Sequence, residues 1–152
     1  MRCAIGSDDV GPLTEALLAE LNRRGAEVER FGALCGALRQ AQDDTNEWAS
    51  IGRAVGGAVA EGRADVGIVC CWTGTGISIA ANKVRGVRAA LCADAVTAEG
   101  ARRWNDANVL ALSLRATSPA VGIEILAAFL EGEASVDASD QRSIAAVEPG
   151  EG

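Results

Sequence analysis

Five short apolar runs divide this chain, at residues 1–6, 27–31, 65–71, 87–92 and 109–112. Stretches with helical spacing separate and follow them. Residues 12–25 carry Leu13, Leu17, Leu18 and Leu21 on one face, with Gly25 as a stop. Residues 46–61 carry Trp48, Ile51, Val55 and Val59 on one face, and 77–83, 95–104 and 118–130 complete the helices. Residues 32–45 read as loop, and the chain turns polar after residue 131. Apolar periods near two and near 3.6 mark strands and helices, so this alternation leaves few architectures open. It predicts an α/β protein, with a five-stranded parallel sheet covered by helices on both faces, three layers in all. Residues 1–147 read as a single domain and 148–152 as a disordered tail.

Within that frame, residues 69–83 carry the chemistry: Val-Cys-Cys-Trp-Thr-Gly-Thr-Gly-Ile-Ser-Ile-Ala-Ala-Asn-Lys. The apolar run ends at Cys71, Gly74 and Gly76 follow, and a helix opens. Backbone N–H groups in such a turn face whatever binds there, and the helix start favours negative charge. The same field lowers a thiol pKa. One segment thus offers an oxyanion or phosphate cradle and, at Cys71, a candidate nucleophile or base. Ligands of open parallel sheets sit at the carboxyl ends of the strands. Asp8, Cys71 and Asp94 all fall at such ends.

Composition narrows the partners. The net charge of −7 argues against nucleic acid and anionic membranes, because phosphate contacts need clustered Lys and Arg. No apolar stretch approaches the roughly 20 residues of a membrane span, and Met1 leads straight into Arg2-Cys3-Ala4-Ile5 with nothing resembling a signal peptide. The five cysteines are odd in number and irregularly spaced, which reads as reduced thiols in a cytoplasmic protein. Cys70 and Cys71 are poorly placed to share a metal, since adjacent strand residues point to opposite faces. There is no histidine, so acid–base chemistry falls to Cys, Asp, Glu, Lys or water.

Each feature alone has a plain structural explanation. Asp8-Asp9 after a strand is ordinary turn or cap chemistry. Two glycines without Gly-Lys-Ser/Thr do not make a P-loop, and the third glycine of the dinucleotide fingerprint is missing. A cysteine at a strand end is commonly filler. It is their placement together at one sheet edge that points to function.

Longer stretches carry a resemblance. Gly6-Ser7-Asp8, then Cys71-x-Thr73-Gly74-x-Gly76-x-Ser78-Ile79-Ala80-Ala81-Asn82-Lys83, Gly86-Val87-Arg88-Ala89-Ala90 and Asn105-Asp106-Ala107-Asn108-Val109-Leu110-Ala111-Leu112 are similar to the type B ribose-5-phosphate isomerases. That family includes the galactose-6-phosphate isomerase subunits. The resemblance covers residues 1–142. It implies a Rossmann-like sheet, a homodimer or homotetramer with active sites shared between subunits, and metal-independent aldose–ketose isomerisation through an enediolate, without a cofactor. Cys71 matches the family base. Thr73 and the backbone from Gly74 through Gly76 to Ser78 match the enediolate cradle. Asp8 matches an acid that contacts the sugar, Asn105 a residue reaching in from the partner, and Arg115 an arginine at the phosphate.

The departures lie around the far end of the substrate. Asp9 stands where the family has histidine, and Trp104 stands where it has the histidine credited with ring opening. A phosphate-gripping cluster aligns with Ser139-Asp140-Gln141-Arg142-Ser143, where serines replace two arginines and only Arg142 offers a cation. A family tyrosine aligns with Thr45. Trp104 either fills space or stacks on a sugar, and Arg102 and Arg103 beside it offer anion binding. The expectation is an isomerase for a sugar or sugar phosphate that does not favour ribose 5-phosphate, with Asp9 and Trp104 among its substrate contacts. The alternatives are a sugar-binding or regulatory protein, or a non-catalytic subunit of a hetero-oligomeric isomerase. A redox role for Cys70-Cys71 is more remote.

Overall fold

The computed structural model describes residues 1–38 and 47–148. Thr45 of the expected substrate loop and residues 149–152 of the expected tail lie outside the described residues. In chain order the elements are β1 (Arg2–Ser7), α1 (Pro12–Arg23), β2 (Glu27–Gly32), α2 (Trp48–Ala60) and β3 (Val66–Cys71). Then come α3 (Thr75–Ala81), β4 (Ala89–Leu91), α4 (Ala95–Asn105), β5 (Val109–Ser113), α5 (Pro119–Glu131) and α6 (Ala138–Val147). The strands form one parallel sheet in the order β2-β1-β3-β5-β4. This is the expected five-stranded Rossmann-like sandwich.

Strand alternation divides the core in two. Ile5, Ile68, Cys70, Leu110 and Leu112 face α1, α4 and α5, where Leu17, Leu21, Ile125, Leu126 and Phe129 meet them. Ala4, Val69, Cys71, Val109 and Ala111 face α2 and α3, against Ile51, Val55, Ile77 and Ala81. Each large side chain buried here contributes about 1.5–3 kcal/mol. Helix α2 sits unusually deep because the strands beneath it carry Gly6 and Gly67. A Cβ on either would come within 2.9 Å of Val55 methyl carbons.

The strand order reverses between β1 and β3, which are hydrogen-bonded neighbours with Ser7 opposite Cys70. The chain leaves β1 for β2 on one side and leaves β3 for β4 and β5 on the other. Such a reversal opens a crevice at the carboxyl ends of the two strands. Asp8 and Cys71 therefore leave the sheet side by side.

Four elements differ from the sequence expectation. Strand β4 keeps only Ala89–Leu91, because Gly86 turns with φ +82° and the Val87 N–H folds back to the Val84 carbonyl. Helix α3 begins at Thr75, two residues early. A 3-10 turn spans Ala33–Leu38 inside the expected loop. Helix α6 occupies the expected polar tail and buries no residue, so it has no apolar stripe to read. Glu148, the first residue of the expected disordered tail, accepts from the Arg88 guanidinium at 3.0 Å and the Gly86 N–H at 3.3 Å. No helix among the described residues is long and apolar enough to cross a membrane.

Candidate active site

At the reversal point the β3–α3 turn closes tightly. The Gly74 N–H donates to the Cys71 carbonyl at 3.2 Å, and Gly74 takes φ +77°, a left-handed conformation costly for other residues. A Cβ there would also lie 2.9 Å from the Leu112 carbonyl carbon and oxygen. Strand β5 braces the turn from outside. The Leu114 N–H donates to the Cys71 carbonyl at 3.0 Å. The Ser113 hydroxyl at 2.9 Å and the Arg115 N–H at 3.0 Å both donate to the Trp72 carbonyl. The first N–H groups of α3 have no partner within the helix and point out of the turn.

A shallow pocket of about 260 Å³ opens beside this turn. Asp8, Cys71, Thr73 and Gly76 line it, all of them sequence candidates. Trp48, Trp72 and Thr75 complete the lining and were not sequence candidates. Trp48 is the instructive miss. Its spacing places it on the core face of α2, yet as the first residue of that helix it stands above the core and remains 46% exposed. The Thr73 and Thr75 hydroxyls lie 2.8 Å apart and share a hydrogen bond.

The two adjacent cysteines part company. Cys70 points into the α1/α5 side of the core and is fully buried. Burial, reinforced by Cys71 and Asp8, pushes its thiol up to about 12. Cys71 points to the α2/α3 side and reaches the pocket. Burial also raises the Asp8 carboxyl above its usual range. A hydrogen bond from its own backbone opposes the rise and the charge of Asp9 adds to it. A carboxyl shifted this way is a stronger proton acceptor, suited to take up a sugar hydroxyl proton and pass it on.

The other candidates lie off the pocket. The Asp9 carboxylate accepts the Val10 N–H at 2.8 Å, as turn chemistry predicts. Ser78 is buried in α3, and its carbonyl takes the Asn82 N–H. Asp94 caps α4 by accepting from the Thr97 N–H at 2.7 Å. Arg115 is exposed at the carboxyl end of β5, the edge that carries the pocket.

Trp104 and Asn105 end α4, just before β5 begins, and so sit at the opposite, amino edge of the sheet. Trp104 is 55% exposed, with its ring laid over Gly100. Arg142 on α6 lies along that same edge: the Ser135 N–H before the helix bonds the Arg103 carbonyl, and Glu148 after it bonds Arg88. Within one chain these three cannot join Cys71. Arg102 is engaged structurally. It donates to the Ala107 carbonyl at 2.6 Å and lies 5.4 Å from the Phe129 ring centre, so it is not the anion ligand the sequence offered. Among the described residues no group of three cysteines or acids converges on one point as a metal donor set.

Comparison with known proteins agrees with this fold. Residues 3–147 match the family model described as Ribose/Galactose Isomerase. Ribose-5-phosphate isomerase B of Escherichia coli is 38% identical over 125 residues, 82% of this chain and 76% of that protein. D-erythrulose-4-phosphate isomerase of Pectobacterium atrosepticum is 34% identical over 134 residues, 86% of this chain and 82% of that protein. The solved structure of Clostridium thermocellum ribose-5-phosphate isomerase B superposes with a TM-score of 0.84 at 36% identity, over 97% of this chain and 95% of that one. A thiol and glycine turn at the sheet's reversal point, on a fold shared nearly end to end with these enzymes, leads to one assignment: the chain belongs to the ribose/galactose isomerase family, whose members interconvert aldoses and ketoses.

Proposed function

We propose that this protein isomerises a short sugar or sugar phosphate, with Cys71 as the base. The carrying observation is that Cys71, alone of the adjacent cysteines, opens on a pocket that also presents Thr73 and Asp8. Acting as a thiolate, the Cys71 sulfur takes the proton from the carbon beside the substrate carbonyl and becomes the thiol. The electron pair left behind makes an enediolate, whose charge the Thr73 hydroxyl and the N–H groups of the Gly74–Ser78 segment stabilise. Donors fixed in advance at a developing oxyanion are among the strongest catalytic devices known. The thiol then returns the proton to the neighbouring carbon, while the hydroxyl proton passes between the two oxygens with Asp8 as its carrier. Nothing is consumed, so the cycle balances without a cofactor. With no histidine in the chain, ring opening is left to water.

We assign the anionic end of the substrate to Arg115. Among the described residues no cation lines the pocket, and Asp8 is its one acidic side chain. Two like charges 4 Å apart repel by roughly 4 kcal/mol at an effective dielectric of about 20, so Asp8 and Asp9 disfavour a phosphate placed near them. With Asp9 in place of a family histidine and Ser139 and Ser143 in place of two family arginines, ribose 5-phosphate is in this reading not the preferred substrate. Trp104, Asn105 and Arg142 act, in this reading, in the site of a second copy, which makes the working unit a homodimer or homotetramer.

The test is proton exchange in D₂O with a panel of aldoses, ketoses and their phosphates, followed by NMR. Deuterium at C1 or C2 of any member, lost in Cys71→Ala, supports the reading and identifies the substrate. Binding of these sugars without exchange would overturn it in favour of a sugar-binding protein on an isomerase scaffold, the reading that the absence of histidine favours.

A further inference from the structure

All three tryptophans of the chain are exposed, and two of them open on one small pocket. Scattered exposed apolar residues need no explanation, but a shared patch does. The backbone beneath Trp48 holds it in place. A Cβ on residue 76 would lie 3.0–3.2 Å from the Trp48 Cε3, Cδ2 and Cζ3 atoms, so the benzo half of the indole rests on the Gly76 backbone. Trp48 remains 46% exposed and lines the pocket beside Cys71. Trp72, at 63% exposed, adds a second indole to the same lining, and its carbonyl is pinned by Ser113 and Arg115.

Building on the isomerase reading above, we propose that Trp48, aided by Trp72, determines substrate specificity by holding the C–H face of an open-chain tetrose or pentose against the Cys71 turn. The ring chemistry supports this choice. An indole face carries negative charge density and meets C–H bonds well, but it disfavours an oxyanion. The enediolate oxygens are therefore directed to the Thr73 hydroxyl, away from the indoles. The carbon chain meets the ring equally in the sugar and in the transition state. Such uniform binding lowers KM and leaves kcat nearly unchanged.

The probes are D-erythrulose 4-phosphate, D-ribose 5-phosphate and D-galactose 6-phosphate. Trp48→Leu keeps an apolar side chain and removes the aromatic face. For the two shorter sugars we expect KM to rise about tenfold, equivalent to about 1.4 kcal/mol, with kcat within about twofold and Trp48→Phe close to wild type. Dissociation constants measured by calorimetry in a Cys71→Ala background, with and without Trp48→Leu, separate the two claims. A tenfold weakening there supports the indole contact even if Cys71 proves not to be the base, and continued exchange in Cys71→Ala defeats the base assignment alone. Unchanged KM and affinity in Trp48→Leu would overturn the proposal. So would a loss confined to kcat, or tightest binding of the hexose phosphate.

Discussion

Replacing Gly74 by alanine asks two things of the β3–α3 turn, and Gly62 allows them to be separated. Both glycines have positive φ, +77° and +72°. An alanine pays about 1–2 kcal/mol for a left-handed conformation. At Gly62 nothing lies within 4 Å of the added Cβ, so the cost ends there. At Gly74 the Cβ meets Leu91 Cδ1 at 2.5 Å and the Leu112 carbonyl at 2.9 Å. Leu91 is half-exposed and can rotate away. The Leu112 carbonyl is β5 backbone and can yield only if the sheet moves. Overpacking of this kind adds about 1–3 kcal/mol. For a chain of this size each kcal/mol moves Tm by about 2–4 °C. Gly74→Ala should therefore lower Tm by about 10 °C and Gly62→Ala by about 4 °C, measured by circular dichroism at equal protein concentration. Exchange activity should fall in Gly74→Ala alone, because the turn that carries the N–H donors shifts. Equal Tm losses in the two variants would refute the steric argument.

Other outcomes follow from the same geometry. Cys70→Ala removes a fully buried sulfur from the α1/α5 side of the core. It should cost about 1–2 kcal/mol in urea unfolding and leave kcat intact. Asp8 binds its proton more tightly when folded, because burial raises its carboxyl above the ordinary 3.8. Ionising it therefore destabilises the fold as pH rises through the folded value. Asp8→Asn should be more stable than wild type at pH 7, and that advantage should vanish below pH 3.8 in pH-dependent melting curves. Arg102→Ala should lower stability by about 2 kcal/mol through its lost carbonyl bonds. Arg115→Ala should instead raise KM for phosphorylated sugars with little change in Tm.

The sheet was legible because each strand and helix carries its own period, and because the strand ends fall beside Asp8 and Cys71. The Cys70/Cys71 distinction was legible too, since alternation along β3 sends neighbours to opposite faces. Trp48 was not. Helical spacing gives a direction around the axis but not a height along it, and at the first residue of α2 the core has already ended. Helix α6 escaped for the opposite reason, having no buried face to impose a pattern. Arg102 looked like a free cation beside Trp104, and only the fold shows the Ala107 carbonyl and the Phe129 ring that occupy it.

The central claim is that Cys71 moves the proton. The most direct measurement is the rate of C2–H exchange into D₂O for wild type, Cys71→Ala and Cys70→Ala on the best sugar of the panel. Loss of a general base costs about 10²–10⁴-fold, so Cys71→Ala should fall by at least two orders of magnitude while Cys70→Ala stays within a few-fold. Comparable rates in Cys71→Ala and wild type, or equal losses in the two variants, would contradict the assignment.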